Sequence, residues 1–270
     1  MKWFHGLALS LGLGVAATAG AGEYVGIVHP LRDLTLSLGV GGVAASVDVV
    51  VGQKVRSGQL LLTLDDRMQA VETERRRVVA EDQSELKALE ERIGIVKELY
   101  GNARALYEKT GGISRDELRK LELELIATEG RIEQLRAQEA REELEYRSAE
   151  QERLAMRLLA PIDGVVTRID LDVGEWSKPG EPVLRLVNSE VCYLNVNVDR
   201  RAAQGLSRGG RISVLVEGRK RPIPGRLTFV SPVADAASGL VELRVEFDNR
   251  DGQVRPGVTA RIRLGGRGDS

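Results

Sequence analysis

Two stretches of this chain are copies of each other although about a hundred residues separate them, and few folds satisfy that condition. Residues 42–64 lie over residues 164–186 without a gap, at a constant offset of 122, with eight identities in 23 positions. The identical pairs are Gly42/Gly164, Val43/Val165, Asp48/Asp170, Val51/Val173, Gly52/Gly174, Gly58/Gly180, Leu62/Leu184 and Leu64/Leu186. Each copy alternates β-branched residues, turns at a Val-Gly step and a second glycine, and ends in an apolar run. It therefore reads as short strands joined at Gly52 and Gly58, or at Gly174 and Gly180. A unit this small cannot bury its own apolar face. The copies are expected to pack on each other, so the chain between them must leave and return at one place.

That intervening chain, residues 67–158, has no proline and is built from Glu, Arg, Leu, Ala, Lys and Gln, all strong helix formers. Steps of three and four connect Val71, Val78, Leu86, Leu89, Ile93, Val96, Tyr100, Ala103 and Tyr107, with Arg75 and Asp82 as interruptions. A second run passes through Leu118, Leu121, Leu125, Ile132, Leu135, Tyr146, Ala149 and Met156, interrupted by Thr128, Glu139, Glu142 and Arg153. This is coiled-coil spacing. Near residues 108–117, Gly111 and Gly112 stop one helix and Ser114 caps the next, with Glu117 completing a capping box. Two antiparallel helices of about 40 residues, about 60 Å long, are expected to project from the joined halves.

The pattern changes to strands after Leu186, over residues 191–198, 211–216, 225–231, 240–247 and 258–264, with a short helix in 199–206. Residues 22–38 have strand character and are long enough to join this second β module, which closure into a barrel would free of open edges. At the start, Lys2, the apolar run 7–17 and the small residues Ala17-Thr18-Ala19 and Ala19-Gly20-Ala21 read as a cleavable export signal. The alternative is a retained short anchor, although the run is about half of a membrane span. The expected layout is a signal at 1–21, barrel strand at 22–38, first half-motif at 39–66, helical hairpin at 67–158, second half-motif at 159–188, barrel at 189–265 and tail at 266–270. The fold class is mixed α+β and elongated.

This order resembles the membrane fusion, or periplasmic adaptor, family of tripartite efflux systems. Leu159-Ala160-Pro161-Ile162-Asp163-Gly164-Val165-Val166 resembles that family's entry to the second half of its split lipoyl-like (biotinyl-like) domain, and Val173-Gly174-Glu175 with Pro179-Gly180-Glu181-Pro182 continues it. Val254-Arg255-Pro256-Gly257-Val258 resembles the turn before the last barrel strand. The resemblance implies a connector that makes and breaks no bond. It would sit in the periplasm of a Gram-negative bacterium, between an inner-membrane transporter of the resistance-nodulation-division type and an outer-membrane exit duct, as a homo-oligomer such as a trimer or hexamer. An adaptor for an ABC exporter or type I secretion system is the neighbouring alternative, and a periplasmic coiled-coil scaffold without transport is one of another class. An end at Ser270 implies a compact member without a further membrane-proximal β domain. The resemblance also implies contact with the duct through an arginine, a leucine and a serine at the hairpin tip. Arg104, Leu106 and Ser114 are the nearest matches, beside Gly112. The family's leucine falls four positions after the arginine and seven before the serine, where this chain has Glu108 and Tyr107.

Other chemistries find little support. A lipoyl carrier needs a lysine at the joint between its halves, where this chain runs Leu64-Asp65-Asp66-Arg67-Met68 into the helices, so no cofactor is expected. The histidines are His5 and His29, which make no catalytic dyad. Cys192 is expected to pack in the barrel, and Met68 and Met156 to meet at the hairpin base as apolar packing, giving no soft-metal cluster. Gly39-Val40-Gly41-Gly42 precedes a strand and not a helix, which argues for a turn over a phosphate loop. With 39 basic and 40 acidic residues and few aromatics, no nucleic acid is expected. From Glu190 onward the basic residues number 14 and the acidic nine, which could turn that end toward a transporter or lipid head groups, or be plain barrel surface. Glu90 and Arg92 are expected to be available for lateral contacts between hairpins of a tube wall.

Overall fold

The computed structural model describes residues 22–264, so the expected signal at 1–21 and tail at 266–270 lie outside the described residues. In chain order the elements are β1 (Gly22–Ser37), β2 (Gly42–Val47), β3 (Lys54–Val55), β4 (Leu60–Leu64), α1 (Arg67–Glu81), α2 (Ser84–Thr110), α3 (Arg115–Leu154), β5 (Arg157–Leu159), β6 (Gly164–Ile169), β7 (Trp176–Ser177), β8 (Pro182–Asp199), α4 (Arg200–Ala203), β9 (Arg211–Val216), β10 (Ile223–Ala234), β11 (Leu240–Asp248) and β12 (Thr259–Leu264). They form two compact units, one of residues 35–186 and one joining the chain up to 34 with the chain from 187.

In the unit of residues 35–186 the two copies pair crosswise. β2 of the first runs antiparallel to β7 of the second through Gly42↔Ser177 and Val43↔Trp176, and β3 of the first pairs with β6 of the second through Val55↔Gly164 and Lys54↔Val165. Shifting each partner by 122 converts one register into the other. Hydrogen bonds follow the same exchange: the Gly52 N–H donates to Val166 O at 2.8 Å and the Gly174 N–H to Ala44 O at 2.9 Å. Likewise the Gly58 N–H donates to Ala160 O and the Gly180 N–H to Leu38 O, both at 2.8 Å. That last pair extends the twofold relation to Leu38 and Ala160, upstream of the aligned stretch. Leu61, Leu62 and Leu64 of one copy and Val183, Leu184 and Leu186 of the other share one buried cluster, which is why neither copy is sufficient alone.

The four turn glycines have left-handed backbone, with φ of 89° at Gly52, 82° at Gly58, 91° at Gly174 and 77° at Gly180. A Cβ at any of them would meet nothing within 4 Å, so a side chain there costs backbone conformation alone. Gly174→Val and Gly52→Val are each expected to destabilise this unit by about 2 kcal/mol, and by equal amounts, because the two turns are equivalent. Urea unfolding followed by circular dichroism tests this, and clearly unequal midpoints would contradict the equivalence. Gly164 opens β6, and the Ser57 hydroxyl donates to Pro161 O at 3.3 Å.

The helices depart from the expected pair. α3 is one 40-residue helix, but the opposing arm is broken into α1 and α2 at Asp82 and Gln83. Asp82 Oδ1 accepts from the Ser84 N–H at 3.1 Å and from its hydroxyl at 2.6 Å, which starts α2 afresh. The break resets the phase. Beyond it, Leu86, Leu89, Ile93 and Val96 turn inward as the spacing predicts. Before it, Gln69, Thr73, Arg76 and Ala80 occupy the inner face, with the Thr73 hydroxyl 3.2 Å from Ala149 O and Arg76 paired to Glu145. Val71 and Val78, expected in the seam, are instead 67 % and 57 % exposed. The expected boundary at residue 158 also falls inside β5, which pairs with β4.

The other unit orders its strands β1–β12–β9–β10–β11–β8, and β1 also pairs with β8. There Gly26 lies so close to β8 that a Cβ would sit 2.0 Å from Asn195 O. Leu194, Val196 and Val198 of β8 point inward with Leu243, Val245 and Phe247 of β11, as period-two alternation requires. Gly257, after Pro256, has φ 97° and donates its N–H to Val28 O at 2.7 Å. Cys192 is buried, and burial pushes its thiol up to about 11.

Candidate functional site

The turn between α2 and α3 collects the residues singled out by resemblance. α2 closes on Gly111, whose φ of 62° supplies the left-handed cap and whose N–H donates to Tyr107 O. The Thr110 hydroxyl donates to Leu106 O at 3.0 Å and accepts from the Gly112 N–H at 3.2 Å, so one side chain ties the helix end to the turn. Ser114 then accepts the Glu117 N–H at 3.2 Å and starts α3, with Asp116 and Glu117 in the first turn favouring the helix dipole. Gly112 has no room to spare, since a Cβ there would lie 3.1 Å from Thr110 Oγ1 and 3.3 Å from Leu106 Cγ.

Arg104, Leu106, Gly112 and Ser114 are all exposed at this turn. Arg104 is nevertheless occupied: its Nε lies 2.9 Å from Glu108 Oε1, and that carboxylate holds the guanidinium above its usual range. Counted from Arg104 the resemblance implies a leucine at Glu108, and counted from Ser114 at Tyr107; here the arginine has an internal acidic neighbour, and Leu106 with Tyr107 provides the exposed apolar surface. The turn offers backbone shape, a hydroxyl and an apolar patch. Among the described residues no group of three or more His, Cys, Asp or Glu side chains could hold a metal ion.

Glu90 and Arg92 are not left free for neighbours. Arg136 takes Glu90 at 2.8 Å and Glu124 takes Arg92 at 2.9 Å, while Arg131–Glu85 and Lys97–Glu129 complete the set across the helix pair. In heptad terms these are g–g and e–e contacts, the pairs an antiparallel arrangement brings together. Each is exposed and individually weak, but together they select one register.

Two further features escape the sequence pattern. At the hairpin base, Val43, Met68, Met156 and Trp176 line a groove of about 430 Å³, rimmed by Asp65 and Arg67, whose pairing brings the Asp65 carboxyl down to about 2. Met156 is buried as expected, but Met68 is 77 % exposed, so the two methionines do not form a closed packing pair. In the barrel unit, His29 stacks on Tyr193 with ring centroids 5.3 Å apart, and the Arg244 guanidinium lies 4.7 Å above the same ring. Alternating strand residues place these groups on the outer face, although they are distant in sequence.

Comparison with known proteins follows these divisions. Residues 34–188 match the family model for the CzcB-like barrel-sandwich hybrid domain, and residues 192–268 that for the CusB-like β-barrel domain. Multidrug resistance protein MdtA of Pectobacterium carotovorum is 24 % identical over 258 residues, covering 89 % of this chain and 57 % of that protein. Cation efflux system protein CusB of Escherichia coli K12 is 28 % identical over 108 residues, 40 % of this chain and 26 % of CusB. The chain thus spans between a quarter and just over half the length of these curated relatives. Among solved structures, MacA from Actinobacillus actinomycetemcomitans shares the fold with a TM-score of 0.74 at 17 % identity, over 90 % of this chain and 78 % of MacA.

Proposed function

The chain belongs to the membrane fusion protein family, the adaptors of efflux systems, and we propose that it bridges an inner-membrane transporter and an outer-membrane exit duct across the periplasm. The observation that carries this reading is the α2–α3 turn, a capped and exposed surface at the end of the helix pair opposite its β base. In this reading the turn meets the duct through Ser114, Gly112 and Leu106, with Arg104 contributing once Glu108 releases it. The barrel unit faces the transporter. Several copies assemble around the exported substrate, and the chain itself carries out no chemistry.

A transporter of the resistance-nodulation-division type is the preferred partner, supported by the match of residues 192–268 to a β-barrel family model named for that type. An ABC exporter or type I secretion system is the alternative partner. Affinity purification of the tagged chain from detergent-solubilised membranes separates them. Recovery of a resistance-nodulation-division transporter is the expected result, and an ABC transporter in its place transfers the proposal to the second class. Unchanged export of all tested substrates on deletion would leave only a spacing scaffold.

A further inference from the structure

The outer face of the barrel unit carries arginines for which the fold itself has no use. Arg226 of β10 and Arg211 of β9 are exposed and stand directly opposite each other in the antiparallel register. Like charges in that position work against the pairing of their strands, so stability does not explain them. An acid is within one strand, since Glu246 of β11 is the other register partner of Arg226. Arg226 does not turn to it: its guanidinium lies toward the turn before β9, with Nη2 3.7 Å from where a Cβ on Gly209 would sit. Among the described residues neither arginine has an ion pair or a side-chain hydrogen bond. The same face continues across β12 and β1. Arg261 and Arg263 of β12 share one carboxylate, that of Glu23, at 3.5 and 3.6 Å. Beside them the register sets Arg261 between Leu215 and Val25, and Thr259 against Ile27. Val25 and Ile27 are 64 % and 50 % exposed. The outward positions of these paired stretches thus hold four arginines and one acid, with apolar side chains between them.

From this pattern we infer that the outer face of β10, β9, β12 and β1 rests on anionic phospholipid head groups, the arginines on the phosphates and Val25 with Ile27 at the acyl boundary. The inference goes beyond the adaptor reading and does not need it, because it concerns a bilayer and not a protein partner. Charge complementarity carries it. A guanidinium takes a phosphate through two parallel N–H donors, and each basic residue close to an anionic leaflet adds to the attraction. The interleaved apolar residues decide between lipid and an acidic protein surface. Carboxylates would satisfy the arginines but leave Val25 and Ile27 facing charge, whereas a lipid interface offers phosphate and hydrocarbon within about 5–10 Å of each other.

Vesicle flotation of the expected mature chain, beginning at Gly22, tests the face without the apolar run 7–17. Binding is expected to vesicles of phosphatidylethanolamine and phosphatidylglycerol in equal parts, and none to vesicles of phosphatidylcholine. Arg211→Gln with Arg226→Gln should weaken binding to the anionic vesicles about thirty-fold. Val25→Thr with Ile27→Thr changes no charge and should weaken it about tenfold. Lys220→Gln with Arg221→Gln removes the same charge beyond the far end of the β9–β10 pairing and should weaken it less than about threefold. On heating without lipid, the Arg211→Gln and Arg226→Gln double variant should unfold no earlier than the parent, since a like-charge pair is gone. Equal weakening by the two charge variants, full binding by the threonine variant, earlier unfolding of the Arg211→Gln and Arg226→Gln variant, or no binding by the parent would each overturn the inference. If the parent fails to bind and that same variant no longer co-purifies a transporter, the face belongs to a protein contact instead.

Discussion

Asn249→Ala is expected to be the most damaging single truncation in the barrel unit, lowering its stability by about 3 kcal/mol. Asn249 is 2 % exposed and uses both ends of its amide. Nδ2 donates to Ser189 O at 2.8 Å and Val254 O at 2.9 Å, while Oδ1 accepts the Val254 N–H at 2.8 Å. Its backbone N–H is bound to Glu190 O as well. One side chain therefore satisfies three main-chain groups, two of them on buried Val254, and joins the middle of β8 to the loop before β12. Alanine leaves both Val254 groups without partners, each at about 1–3 kcal/mol before relaxation, while Ser189 O keeps only the weak Cys192 thiol donor at 3.4 Å. Hydrogen exchange with mass spectrometry should show protection of β8 and β11 falling about a hundredfold, since each 1.4 kcal/mol is a factor of ten. Protection in residues 35–186 should not change. A loss in the barrel below about tenfold would mean that relaxation re-pairs these groups, contrary to the argument.

Ser114→Arg and Gly112→Asp are expected to reduce export to the level of the gene deletion while the protein still folds. Both positions are exposed, and the only structural loss at Ser114 is its cap, about 1 kcal/mol. Ser114→Asp keeps a capping oxygen and separates the cap from the contact, because it should restore helix stability yet still impair export through added charge. Gly112→Asp places a Cβ 3.3 Å from Leu106 Cγ, so it displaces the apolar side chain as well as adding a carboxylate. Export assays in the deletion background, with circular dichroism on the purified variants, provide the measurement. Wild-type export from both variants would remove the turn from the partner interface.

The nested organisation was legible because glycine positions do not drift: a left-handed turn tolerates little else, so Gly52 and Gly174 keep their spacing while the strands between them diverge. Leu38 and Ala160 join the same symmetry through hydrogen bonds from glycines 58 and 180, and their side chains carry no trace of it. The inner face of α1 was misread for a related reason. Val71, Arg75, Val78 and Asp82 keep heptad spacing into Leu86, and spacing alone does not say which side of a helix meets its partner. The available signal was Asp82-Gln83-Ser84-Glu85, where a short acceptor two residues before a serine can close a helix start. Glu90 and Arg92 were visible as charges but not as pairs, since their partners depend on the register of the opposite arm. At the α2–α3 turn, the glycines and the serine cap were readable, and the Arg104–Glu108 pair followed the four-residue helical spacing. The stack of His29, Tyr193 and Arg244 joins three strands and had no local signature.

The crosswise pairing of β2 with β7 and β3 with β6 has a kinetic consequence. The first copy is synthesised long before its mate, and closing so long a loop at random carries an entropic penalty that grows with its length. Helices form and zip within microseconds from local contacts, and once zipped they shrink the gap to the few residues at their feet. The helix pair thus acts as a folding splint for the β unit, and removing matched heptads from both arms should leave that splint effective at a shorter reach.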